Sequence, residues 1–68
     1  MPKYIERMKT EKTELDGKIS RARKTIETPP FGSDVEGLRL LGLQITAMEE
    51  YSRILGKRIE YEGGKNGQ

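Results

Sequence analysis

Gln44, Tyr51 and Arg58 recur at intervals of seven in a 68-residue chain that contains no His and no Cys. On a helix this spacing lines up an amide, an aromatic ring and a guanidinium along one edge. Such a set can stack on a base while donating hydrogen bonds to it. The same ladder also reads as a solvated rim with Tyr51 half-buried at a subunit contact. A second candidate lies earlier, in the basic run KISRARKT from Lys18 to Thr25. There Arg21, Lys24 and the hydroxyl of Thr25 or Thr28 offer donors to a phosphate, more so if an oligomer multiplies them. The competing explanation is that these cations complement the dipole at the end of a helix. With Arg7 and Lys12, the candidate ligand-binding set is Arg7, Lys12, Arg21, Lys24, Thr25, Gln44, Tyr51 and Arg58.

Catalysis without His or Cys falls to carboxylates, Lys, Tyr or Ser, and none stands in a recognisable catalytic pattern. Glu49 and Glu50 are adjacent, so on a helix they point about 100° apart and do not share a proton or a metal. The expectation is a binding protein rather than an enzyme, with no metal and no cofactor. Disulfides and the usual zinc sites are excluded by composition, and the lack of Cys fits a reducing cytoplasm. No signal-peptide h-region or membrane-length apolar window is present, which predicts a soluble, cytoplasmic protein. Formal net charge is only +2. Up to Ile26 there are eight Lys or Arg against four Asp or Glu, and beyond it five against seven. Four basic residues without interleaved aromatics are a weak nucleic-acid footprint, so that partner is not expected.

Two helices must position these groups. In the first, Met1, Ile5, Met8, Leu15, Ile19, Ala22 and Ile26 step by three or four, and Lys12 occupies the one stripe position where an apolar residue is expected. In the second, Leu38, Leu41, Ile45, Met48, Leu55 and Ile59 form a heptad seam interrupted only by Ser52. The intervening TPPFG cannot continue a helix. Ser33 with Glu36 matches a capping box that would open the second helix. Phe31, the only Phe, is expected to close the hairpin end against Ile26, Val35 and Leu38. These readings predict an all-α hairpin over 1–62, with helix one at about 3–26, a loop at 27–33, helix two at about 34–60, and a flexible tail at 63–68.

A connection this short makes the helices antiparallel. Aligned that way, Ile26 faces Leu38, Ala22 faces Leu41, Ile19 faces Ile45, Leu15 faces Met48, Met8 faces Leu55 and Ile5 faces Ile59. Lys12 then falls opposite Ser52, so the one polar interruption in each seam meets the other. Glu11, Glu49 and Tyr51 are the expected partners of the Lys12 ammonium. Lys12 reads as a register device or snorkelling side chain on one account and as a ligand contact on the other.

The second helix has apolar surface left over. Leu40, Leu43, Ala47, Tyr51 and Ile54 lie outside the seam, and a chain below about 70–80 residues rarely supplies more than roughly 3–5 kcal/mol from one core. With disulfides and zinc excluded, these residues are expected to hold a homo-oligomeric helical bundle together.

The segments YIERMKTEKTELDGKI and LQITAMEEYSRILGKRI, with Phe31 between them, resemble a family of very small phage proteins named after a crAss-like phage gene product. The chain is also similar in size and expected architecture to the phage anti-CBASS and anti-Thoeris hairpin proteins, although their Arg-Trp pair and Gln-Gly-Phe-Met run are absent. The resemblance implies a phage counter-defence or accessory protein acting in the infected bacterial cytoplasm. Its expected partners are other copies of itself and a small nucleotide ligand, a cyclic oligonucleotide or a cyclic or modified ADP-ribose held between subunits. The alternative is an anti-CRISPR-like inhibitor or assembly module that docks on a host defence protein through the exposed face of helix two.

Overall fold

The computed structural model describes residues 3–66, and side-chain surroundings through residue 64. Two antiparallel helices, α1 (Lys3–Glu27) and α2 (Val35–Asn66), make up the whole of it, with no strand among the described residues. Met1 of the first seam and Pro2 lie outside the described residues.

The two seams meet in the expected register. Ile5, Met8 and Leu55 form one buried cluster, with Ile59 packed against it. Leu15, Ile19 and Ile45 form a second, joined by Ala22, Leu41 and Met48. Between them the Lys12 ammonium donates to the Ser52 hydroxyl at 3.0 Å, so a polar layer divides the core in two. Among the described residues, Ile5 and Leu55 are the most completely enclosed of the core side chains. Two helices alone leave most side chains with one wet side, which is the expected geometry of so small a fold.

The turn differs from the expectation in three ways. Helix α2 is capped by Asp34 rather than Ser33: its carboxylate accepts from the Gly37 amide at 2.7 Å and its carbonyl from the Leu38 amide. Ser33 instead turns its hydroxyl back to the Pro30 carbonyl, at 2.8 Å, and Glu36 pairs with Arg39. The Ser33 amide also donates to Pro30, closing a four-residue turn whose third residue, Gly32, has φ of 90°. A positive φ at that position is the requirement of a type II turn, and glycine meets it without strain. Phe31 sits at the tip of this turn and is fully exposed, so it does not close the hairpin. Ile26 packs its Cδ1 toward Gly42 and remains 38% exposed, and Val35 is exposed as well.

At the other end α2 runs past its expected limit, through residues 63–66 of the segment read as a tail. Residues 67 and 68 lie outside the described residues. The Tyr4 hydroxyl donates to Glu62 at 2.8 Å, which ties the extension of α2 to the start of α1.

Because Asp34 satisfies an otherwise orphan amide, Asp34→Ala is expected to destabilise the hairpin by about 0.5–2 kcal/mol. Ser33→Ala, which leaves the helix cap in place, is expected to have the smaller effect. Urea unfolding of the two variants side by side separates the two caps, and a larger loss in Ser33→Ala would restore the capping box.

Candidate functional site

The polar layer is more elaborate than the pairing of Lys12 with Ser52. Asp16, one turn beyond Lys12, accepts from the Ser52 hydroxyl at 2.6 Å and from the Lys12 ammonium at 3.0 Å. Ser52 thus receives one hydrogen bond and gives another, and the three side chains form a closed ring. The Ser52 hydroxyl first, and Lys12 second, hold the Asp16 carboxyl below its usual range. Gly56 makes room for this arrangement: a Cβ there would stand 3.1 Å from Lys12 Cε. The partner of Lys12 is Asp16, not the expected Glu11, Glu49 or Tyr51. An opposite charge four residues on was the available signal.

Glu49 is instead engaged by Arg23 across the hairpin, and Glu50 by Arg53 on its own helix. The Arg23–Glu49 pair borders a depression of about 310 Å³, floored by Ile26, Gly42 and Ile45, with Glu27 also on its wall. Two carboxylates against one guanidinium make this a poor seat for a phosphate. A second depression, of about 330 Å³, lies under the turn between Thr25, Asp34, Gly37 and Leu41. Its helix N-terminus already carries the Asp34 carboxylate. Each hollow thus already sets carboxylate against its donors.

Of the sequence-derived candidates, only Thr25 lines either hollow, and its hydroxyl donates to the Arg21 carbonyl. Arg7, Arg21 and Lys24 are exposed on α1. Lys12 is committed to Asp16 and Ser52 within the chain. Gln44, Tyr51 and Arg58 are exposed on α2, as are Leu40, Leu43, Ala47 and Ile54. The larger apolar members of this set are 43–57% exposed, Tyr51 included at 45%. Tyr61, also exposed, extends the same strip. One chain does not gather these groups into a cavity. It displays Gln44, Tyr51, Arg58 and the apolar strip along the exposed side of α2, and Arg7, Arg21 and Lys24 on α1.

No group of three or more carboxylate, His or Cys side chains stands close enough to hold a metal among the described residues. Among these residues, no helix is long and apolar enough to cross a membrane.

Fold and surface together define a small helical hairpin with a closed, internally paired seam and an open face of mixed apolar and donor groups. The Sequestin family profile matches residues 2–61, nearly the whole hairpin, and the chain belongs to the Sequestin family. No curated protein and no solved structure matches it.

Proposed function

We propose that this protein is a phage counter-defence factor that binds and sequesters a host nucleotide immune signal, a cyclic oligonucleotide or a cyclic or modified ADP-ribose, without chemistry. The observation that carries the reading is the open face of α2, where Gln44, Tyr51 and Arg58 border the uncovered Leu40, Leu43 and Ile54. Membership of a family called Sequestin supports retention of a ligand over its conversion. Neither hollow of the single chain suits a phosphate, so the binding pockets form between protomers in the infected cell's cytoplasm. There a base stacks on Tyr51, Gln44 and Arg58 donate to it, and cations of α1 such as Arg21 and Lys24 meet the phosphates. Partial exclusion of water strengthens each of those charge-assisted bonds.

Isothermal titration against cyclic dinucleotides, cyclic trinucleotides and ADP-ribose derivatives is expected to give one saturable, stoichiometric binder. That binding is expected to be lost in Tyr51→Ala and Arg58→Ala, neither of which touches the seam. Heating the loaded protein is expected to release the ligand chemically unchanged. Silence across the panel, together with a stoichiometric host protein retained from lysate, would overturn the reading in favour of a protein-binding inhibitor acting through the same face.

A further inference from the structure

The open face of α2 has an internal symmetry that names its partner. Its midline runs Glu36, Leu40, Leu43, Ala47, Tyr51, Ile54 and Arg58, with steps of four, three, four, four, three and four. The steps read the same in both directions from Ala47. All seven residues are exposed in the single chain.

We infer that this strip pairs with the same strip of a second copy, antiparallel, about a two-fold axis at Ala47. The inference rests on the reading above that the face lies between protomers, and adds the partner's orientation and register. A two-fold interface brings each position onto its mirror position. Leu40 then meets Ile54 of the second copy, and Leu43 meets Tyr51. The smallest side chain falls on the axis, where helices 8–10 Å apart approach most closely.

The charges choose the direction. The strip begins with a carboxylate and ends with a guanidinium. In the antiparallel arrangement Glu36 meets Arg58 at both ends, whereas a parallel arrangement sets Glu36 against Glu36 and Arg58 against Arg58. Glu36 is held by Arg39 of its own helix, but its side chain remains 63% exposed and can accept from a second cation. Tyr51 and Arg58 of each protomer then lie beside Leu43 and Glu36 of the other, which gives the dimer two equivalent borders.

The chain has no Cys, so single cysteines report the pairing directly. Under mild oxidation Ala47→Cys is expected to form a disulfide-linked dimer, since its two copies share the axis. Leu40→Cys and Ile54→Cys are expected to cross-link poorly alone and efficiently when mixed. Sedimentation of the Cys-free protein provides the second readout. Arg58→Glu is expected to weaken the dimer roughly tenfold, and Glu36→Arg combined with Arg58→Glu to restore it. Efficient cross-linking of Leu40→Cys and of Ile54→Cys each with itself would overturn the antiparallel register. A Cys-free protein that sediments as a monomer, with no cross-link in any variant, would overturn the pairing. No ligand enters either measurement, so a failed cross-link and a silent nucleotide titration remain separate results.

Discussion

Leu55→Ala is expected to remove most of the hairpin's stability, about 2–5 kcal/mol. Leu55 is completely enclosed, wedged between Ile5 and Met8 of the other helix, and its truncation leaves a void that two helices cannot close without losing register. A chain of this length draws only roughly 3–5 kcal/mol from its core, so the variant is expected to be largely unfolded by circular dichroism at room temperature. Leu41→Ala and Met48→Ala are expected to cost less, because both side chains keep contact with water. The sequence pattern puts all three on an equal footing, since they occupy the same stripe. A Leu55→Ala variant that melts with the parent would show that the Ile5 end of the hairpin contributes little.

Ser52→Ala is expected to have the second largest effect, about 1–3 kcal/mol. Its hydroxyl is buried and makes two charge-assisted hydrogen bonds, from Lys12 and to Asp16, both of which the alanine variant loses, while the partly exposed Lys12 and Asp16 turn to water. Lys12→Met is expected to be neutral or mildly stabilising, because Asp16 keeps its hydroxyl donor and the Lys stem over Gly56 is replaced by an apolar one.

The pH dependence follows from the depressed Asp16 pKa. A carboxylate whose folded pKa lies below its unfolded value, near ~3.9, contributes stability that is fully present above that value. That contribution is lost as pH falls through the folded pKa. Removing Ser52 removes the largest cause of the depression. The stability gap between the parent and Ser52→Ala is therefore expected to narrow as pH drops below about 4. Urea midpoints measured from neutral to acidic pH test it, and a gap that stays constant would mean the ring does not involve the ionised carboxylate.

The candidate site was legible as a face but not as a cavity. Helical phase alone sets Gln44, Tyr51 and Arg58 on one edge of α2, and the seam identifies which side α1 covers. Arg7, Arg21 and Lys24 are placed on α1 by the same periodicity, yet none of them lines either hollow of the packed hairpin. Lys12 stands out in the sequence because it breaks an apolar stripe. Spacing puts Asp16, four residues on, within its reach; Ser52, which closes the ring, is brought by the opposite helix.

The sequence by itself determined the hairpin, its antiparallel sense and its register. Two complementary apolar stripes, each broken once at matching positions, admit one alignment that buries both. Tertiary structure decided what local pattern leaves degenerate. Ser33 and Asp34 are both competent caps, and the path of the Pro30–Ser33 turn awarded the role to Asp34 by drawing the Ser33 hydroxyl back to Pro30. Phe31 was the natural lid by composition, but a turn closed by backbone bonds projects its tip residue into water. The enclosure of Leu55 over Leu41 likewise depends on which side chains the opposite helix brings, a property of the pair rather than of either stripe.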